Sequence, residues 1–349
     1  MFPAFRSTKS AIGFCVLLIS LLGLPLVTSW LGHPSREQAY AALTSEAGPV
    51  GMHVREIYAD PGDVDVLLLG SSLVRAGVDR DAMEQALAAH LKRPARVRIL
   101  AMNWQGIDFE YFLLADYLSH HRVGLILWNA PVPGSRNLEP HVEAFRWVRY
   151  GESSAVLAGL PWRYRMALYG DMVLGAPREI LTHLRPNQLG LEEMQFQQAR
   201  EEFGYYGQRF IAEPADLAPA PPLEITFQEP PYPLVREKGK PFDFYETYFA
   251  KRILMLAAEN HTRIAMLHIP IDSERGLDSM PERSRLDGAL DSQAPFIGVT
   301  SAALFLGVPA DRFQHFYTDQ HFNTNGRALF TRAILPAVLK AYDAGGTHE

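Results

Sequence analysis

Two short stretches of the chain carry the residue types that covalent ester chemistry requires. Ser72 follows Gly70 and Ser71 after an apolar run, and Asp319 and His321 lie together near the C-terminus. A serine alcohol becomes a nucleophile when a base removes its proton, and histidine titrates in the useful range. A neighbouring carboxylate fixes the imidazole tautomer and stabilises the protonated ring. These residues predict a catalytic triad of Ser72, His321 and Asp319.

The position of Ser72 between a buried strand and a new helix suits a nucleophile. Its hydroxyl is expected at the edge of a sheet, beside helix N–H groups that favour a developing oxyanion. Gly70 permits the tight turn before it. One alternative is that Ser72 only caps the helix. The alternative interpretation of Asp319 and His321 is that they are ordinary loop residues without a catalytic role.

The elements that must position these residues alternate between strands and helices. Apolar runs at 64–69, 97–101 and 123–128 predict three buried strands. Helical periodicity begins after Asp79, a predicted N-cap, and continues again over 109–118. This β-α-β-α-β order predicts an α/β fold with a mainly parallel sheet and right-handed crossovers.

Candidate polar groups follow the carboxyl ends of all three strands. They are Ser72, the 103–106 loop and Asn129. Ligands of parallel α/β sheets bind outside the carboxyl ends of the strands. We therefore expect these groups at one edge of the sheet.

The second half of the chain is predicted to return to the same pattern after a long insertion. Residues 131–262 form this helical and irregular insertion, and its proline-dense part, 213–241, excludes continuous helix or central strand. Within its last part a helix is predicted over 244–259. A strand over 263–269 and a final helix over 324–342 follow.

The N-terminus predicts a membrane anchor. Residues 11–32 contain no charge and are long enough to cross a bilayer, and Arg6 and Lys9 precede them. This asymmetry predicts a cytoplasmic N-terminus over 1–10 and an extracytoplasmic, periplasmic domain over 33–349. A cleaved signal peptide is the alternative.

The amino-acid composition and the motifs that the sequence lacks limit the classes of function that fit the chain. The net charge of −6 provides no basic field for nucleic acid, and an apolar fraction of 48% suits a globular core. The one cysteine, Cys15, allows no intramolecular disulfide. Neither a zinc-ligand spacing nor a glycine-rich nucleotide loop occurs, so no metal and no cofactor are predicted. Several aromatic side chains either stack on sugar rings or pack in the core: Trp104, Trp128, Trp147, Tyr150, Trp162 and Tyr164.

Together these stretches resemble the SGNH (GDSL-like) hydrolases. Gly70-Ser71-Ser72-Leu73 is similar to the serine block of that family, and Asp319 and His321 are similar to its last block. The resemblance is nearest to a membrane-anchored, extracytoplasmic branch that includes alginate O-acetyltransferases and the D-alanine transfer protein of teichoic acid synthesis.

The resemblance implies a three-layer α/β/α fold and an oxyanion hole. The donors it implies are the N–H groups of Ser72 and Gly106 and the side-chain amide of Asn129. The sequence departs from the family pattern at Ser71, which replaces an aspartate, and in the one-residue spacing between Asp319 and His321. The residues around Asn129 also differ from the family's usual third block.

The implied function is an esterase or O-acyltransferase that modifies an envelope or exported polysaccharide, or a similar acylated substrate, through an acyl-enzyme on Ser72. A membrane-bound acyl donor protein is an implied partner. The alternative is an inactive, anchored subunit with the same fold that binds or scaffolds an envelope-polymer complex.

Overall fold

A computed structural model provides the structure of the chain. It describes residues 7–31, 37, 55–59, 62–102, 106–129, 156, 158–170, 172–173, 234–235, 243–278, 280–281, 294–318 and 320–344.

The first helix, α1 (Thr8–Leu31), is apolar along its whole length and contains one proline, Pro25. Within the described part of the chain it is the one helix long and apolar enough to cross a membrane, over Thr8–Val27, and only 6% of that span is buried. Residues 11–31 of the apolar run therefore lie in a single continuous helix, and most of its side chains are exposed.

Among the described residues, the strands form one central sheet and two small ones. The five central strands, β1, β2, β3, β5 and β7, are parallel and lie in the order β2-β1-β3-β5-β7. The strands are β1 (Val64–Ser71), β2 (Val97–Met102), β3 (Val123–Asn129), β4 (Leu234–Val235), β5 (Arg263–Leu267), β6 (Met280–Pro281), β7 (Phe296–Ile297), β8 (Tyr317–Thr318) and β9 (His321–Phe322). The chain adds β2 on one side of β1 and then adds β3, β5 and β7 on the other side, so the direction of winding switches between β1 and β3. Doubly wound sheets bind ligands at such a switch point.

Several α-helices follow α1 in the part of the chain that the structure describes, and residues 162–170 there are helical as well. Asp79 caps α3 by accepting from the Ala82 N–H, and Asp243 and Glu246 form a reciprocal capping box at the start of α5. The helices are α2 (Ser72–Gly77), α3 (Arg80–Leu91), α4 (Ile107–Leu118), α5 (Phe244–Glu259), α6 (Ser301–Leu304) and α7 (Thr324–Asp343).

Two hydrophobic clusters pack on the central sheet, and alternate residues of β1 contribute to them. Leu67 and Leu69 belong to the cluster that includes α4 and α5, whereas Val66 and Leu68 belong to the cluster that includes α3 and α7. Because successive side chains of a strand point to opposite faces, the two clusters cover opposite faces of the sheet. The sheet is thus buried on both faces, as its unbroken apolar strands predict.

The predicted α/β elements are confirmed, with changes at their ends. The strand predicted over 64–69 extends to Ser71, and the strand predicted over 263–269 ends at Leu267. The helix predicted over 109–118 begins two residues earlier, at Ile107, and the helix over 244–259 has the predicted bounds. Most of the predicted insertion, Asp319 and the 103–105 part of the second loop lie outside the described residues.

Candidate active site

Polar side chains meet at the carboxyl edge of the central sheet. Ser71 ends β1, Asn129 ends β3 and Leu267 ends β5. The register pairs Leu69 of β1 with Trp128 of β3, and Asn129 of β3 with Leu267 of β5, so the three strand ends are neighbours. This is the edge where the sequence predicts the site, beside the reversal of strand order between β1 and β3.

The two serines after Gly70 have different contacts. Ser71 is the N-cap of α2, with its hydroxyl oxygen 3.4 Å from the Leu73 nitrogen that donates to it. Ser72 is the first residue of α2, and its Oγ lies 2.9 Å from Nε2 of His321. The capping alternative for Ser72 is therefore wrong: Ser71 caps the helix, and the Ser72 hydroxyl contacts the imidazole.

His321 reaches Ser72 from a short antiparallel hairpin formed by β8 and β9. Residues 318 and 321 are paired across it. Asn323, the first residue after β9, caps α7 by accepting from the N–H groups of Asn325 and Gly326. Asn323 also donates from its backbone to the carbonyl oxygen of Phe316, at 2.9 Å. The first turn of α7 thus fixes the base of the hairpin that carries the histidine.

Gly326 allows this hairpin to lie close to α7. A side-chain carbon at position 326 would lie 2.3 Å from the carbonyl oxygen of Phe316 and 2.6 Å from the ring of Phe322. Real Cβ atoms do not approach other atoms so closely. A glycine is therefore required where α7 and the hairpin meet.

The side chain of Asn129 is held by one contact on each of its polar atoms. Oδ1 accepts a hydrogen bond from the Ser71 hydroxyl at 3.3 Å, and Nδ2 donates to the carbonyl oxygen of Leu267 at 3.3 Å. An amide nitrogen carries two hydrogens, so the contact with Leu267 leaves the second for a ligand. Gly70 permits this arrangement, because a Cβ there would lie 2.5 Å from the Cβ of Asn129.

The remaining predicted site residues are placed in part. Gly106 is the N-cap of α4, which follows β2, the strand beside β1. Asp319 lies outside the described residues, between Thr318 and Gln320 of the hairpin, so its role stays a prediction. The structure brings Ser72 and His321 into contact and joins Asn129 to the adjacent Ser71.

A buried acidic pair behind the site has no counterpart in the sequence-based predictions. Glu110 accepts a hydrogen bond from the indole N–H of Trp128 at 2.7 Å, and Asp108 accepts one from the hydroxyl of Tyr245 at 2.7 Å. Burial raises the pKa of Glu110 to about 8, although the hydrogen bond from Trp128 opposes this shift. The sequence shows two acids in the first turn of a largely apolar helix, a pattern that does not by itself distinguish buried acids from solvated ones.

A second buried pair supports the loop beside the histidine hairpin. Nε2 of His268 lies 2.9 Å from Oε2 of Glu274, and both side chains are buried. The backbone N–H of Ser273 donates to Gln320, which lies in the turn of the hairpin. Among the described residues, no three His, Cys, Asp or Glu side chains converge as metal ligands would.

The aromatic residues predicted either to bind sugar or to pack in the core have different environments. Trp128 and Tyr164 are buried, whereas Trp162 is 71% exposed. Trp104, Trp147 and Tyr150 lie outside the described residues. Trp128 belongs to the core beside the site and is not available for stacking.

Comparison of the sequence with protein-family models finds no matching family, and comparison with curated proteins finds no significant match. The resemblance to SGNH hydrolases therefore rests on the short motifs and stays a prediction. The α/β fold with a parallel sheet and the contact between Ser72 and His321 are independent of it.

Proposed function

We propose that the chain is a serine-dependent esterase or O-acyltransferase with an SGNH-like three-layer α/β/α domain, anchored in a membrane by α1 with its main domain extracytoplasmic. The observation that carries the proposal is the 2.9 Å distance between Ser72 Oγ and His321 Nε2 at the carboxyl edge of the sheet. A nucleophile and its base must lie within hydrogen-bond reach, and these atoms do.

In the proposed first step, Nε2 of His321 removes the Ser72 proton while Oγ attacks an ester carbonyl carbon. The carbonyl oxygen becomes an oxyanion that accepts hydrogen bonds from the N–H groups of Ser72 and Gly106 and from Nδ2 of Asn129. The tetrahedral intermediate then expels the alcohol, which takes the proton from His321. The acyl group remains on Oγ as an ester.

In the second step, water or a sugar hydroxyl attacks the acyl-enzyme while His321 accepts its proton. Oγ of Ser72 leaves and recovers that proton from His321, and the product is a free acid or a new ester. Asp319 is proposed to hold the imidazole in the tautomer that leaves Nε2 free to accept a proton. An envelope or exported polysaccharide is the proposed acceptor or ester substrate.

Labelling by a fluorophosphonate tests the nucleophile directly. Purified full-length chain in detergent is expected to bind the reagent covalently, and Ser72→Ala is expected to abolish labelling. Ser119→Ala is the matched control, because Ser119 lies beyond the C-terminal end of α4, where its hydroxyl donates to the carbonyl oxygen of Asp116. Undiminished labelling of Ser72→Ala would exclude Ser72 as the nucleophile.

Hydrolysis of a small acetyl ester separates an enzyme from a binding subunit. The wild-type chain is expected to release acetate and to carry a transient acetyl group on the peptide that contains Ser72, seen by mass spectrometry. A correctly folded chain with neither labelling nor hydrolysis would indicate the inactive scaffold instead.

A further inference from the structure

The helical residues 162–170 have one buried face and one exposed apolar face. Tyr164 and Leu168 are each 5% exposed, whereas Trp162 is 71% and Met166 is 59% exposed. Residues four positions apart lie on the same side of a helix. Trp162 and Met166 therefore form an apolar surface that points away from the protein core.

The buried face attaches this segment to the main domain. The ring of Tyr164 lies 5.5 Å from the ring of Tyr245 and 6.3 Å from the ring of Phe244, measured between centroids. Nearby, Tyr248 donates from its hydroxyl to the carbonyl oxygen of Val156. The first turns of α5 thus fix the orientation of the segment, and with it the direction of its exposed face.

The same segment contacts the membrane-spanning candidate α1. The hydroxyl of Tyr169 donates to the carbonyl oxygen of Leu22 at 2.6 Å. Pro25 disturbs the hydrogen bonds of this turn of α1, and neighbouring side chains commonly satisfy carbonyl groups near such a proline. Leu22 is five residues before Val27, where the candidate membrane span Thr8–Val27 ends, or about 7.5 Å along the helix axis.

This depth and this composition fit the interfacial layer of a bilayer. Amphipathic helices lie with their apolar face roughly 5–10 Å inside the boundary between headgroups and acyl chains. Tryptophan is enriched at that level, and interfacial helices commonly carry lysine or arginine on their polar face. Arg163 and Arg165 flank the buried Tyr164 on the exposed part of the same segment.

We propose that residues 162–170 lie in the outer interface of the bilayer that α1 crosses, with Trp162 and Met166 inserted among the lipids. This proposal rests on the membrane anchorage proposed above. It gives the main domain a second attachment besides α1.

The second attachment is on the same edge of the sheet as the candidate active site. Tyr245, which packs on Tyr164, also donates to Asp108 in the first turn of α4. That turn follows β2 and so lies at the carboxyl edge, where Ser72 and His321 meet. An interfacial segment here holds the site close to the membrane surface, where an acyl donor embedded in the bilayer would be within reach.

The experiment places a fluorescent label on the exposed face of full-length chain in vesicles of phosphatidylcholine and phosphatidylglycerol. Met166→Cys is labelled with an environment-sensitive dye in a Cys15→Ser background. Leu306→Cys is the matched control, because Leu306 is 58% exposed and Met166 is 59% exposed. Phe305, beside Leu306, packs in the cluster that includes α3 and α7, away from residues 162–170.

The label on Met166→Cys is expected to lose emission when doxyl-labelled lipids are present and to resist quenching by aqueous iodide. The label on Leu306→Cys is expected to behave in the opposite way. Equal iodide quenching of both labels would overturn the proposal. Shielding of the Met166→Cys label from iodide without quenching by doxyl lipid would overturn it in favour of a second copy of the chain on this face.

A label on the native Cys15, inside α1, separates this proposal from the anchorage itself. Doxyl quenching at Cys15 together with an aqueous label on Met166→Cys would leave the span intact and refute the interfacial segment alone. Absence of doxyl quenching at Cys15 would refute the anchorage and the interfacial segment together.

Discussion

Ser71 donates its hydroxyl hydrogen to Oδ1 of Asn129 across two adjacent strands, at 3.3 Å. This bond settles the orientation of the amide, since Oδ1 accepts from Ser71 and Nδ2 donates to Leu267. The second hydrogen of Nδ2 is therefore the one that the amide can offer to a ligand, as the proposed oxyanion hole requires.

Asn129→Ala should lower kcat for a small acetyl ester by about 10²–10³-fold, because it removes one donor to the oxyanion. KM should change much less, since the contact strengthens in the transition state. Steady-state kinetics on purified protein provide the measurement. Asn260→Ala is the control, because Asn260 is exposed at the far end of α5. Equal kcat values for the wild type and Asn129→Ala would remove Asn129 from the oxyanion hole.

Ser71→Ala should reduce the rate less than Asn129→Ala and should leave the nucleophile intact. It removes the N-cap of α2, at about 0.5–2 kcal/mol of stability, and frees the amide of Asn129 to rotate. Fluorophosphonate labelling should therefore continue on Ser72, but more slowly. Complete loss of labelling, in a chain with normal thermal stability, would contradict these assignments of the two serines.

Gly70→Ala should impair both folding and turnover. Its new methyl group would meet Asn129 and also Val74, whose side-chain carbon would lie only 2.7 Å away. We expect a lower melting temperature and loss of ester hydrolysis. Gly170→Ala is the matched control, because a Cβ at Gly170 meets no atom within 4 Å. An active and fully stable Gly70→Ala protein would mean that β1 and Asn129 are not packed as described.

Glu110→Gln should stabilise the protein at neutral and mildly alkaline pH. The carboxyl group has a pKa of about 8 in the folded chain and 4.5 as its ordinary value. Between these values the folded state holds a proton that the unfolded state releases, so the free energy of unfolding falls as pH rises from about 4.5 to about 8. Glutamine keeps an oxygen that accepts from Trp128 without this penalty.

Thermal unfolding at pH 5 and pH 8, followed by fluorescence, measures how much stability each protein loses as the pH rises. The wild type should lose more stability between the two conditions than Glu110→Gln. Glu259→Gln, at an exposed position, should behave as the wild type. Parallel curves for the wild type and Glu110→Gln would show that Glu110 is ionised in the folded state.

The strands and helices were predictable where apolar residues recur with a clear pattern along the sequence. The strands after residues 63, 96 and 122, and the helix predicted over 109–118, appear with one end shifted by one or two residues. The helix cap at Asp79 was also predictable, because a short polar side chain just before a helical pattern can accept a hydrogen bond from a backbone N–H of the first turn.

Local sequence could not decide which of two consecutive serines caps a helix and which contacts a histidine. That choice depends on the end of β1, which includes Ser71, and on a hairpin that is distant along the chain. Glu110 was missed for a related reason. An acid in the first turn of a helix resembles a solvated residue stabilised by the helix dipole, and only the packing of α4 against the sheet shows that it is buried.

The chain of contacts from Ser71 through Asn129 to Leu267 runs across three adjacent strands of the central sheet. In the proposed mechanism, the Asn129 amide is thus oriented before a substrate binds, so the proposed oxyanion hole does not need to rearrange. His321, in contrast, is carried by two-residue strands outside the central sheet. We therefore expect the proposed oxyanion hole to keep its geometry among substrates of different size, and any adjustment to occur in the hairpin that carries His321.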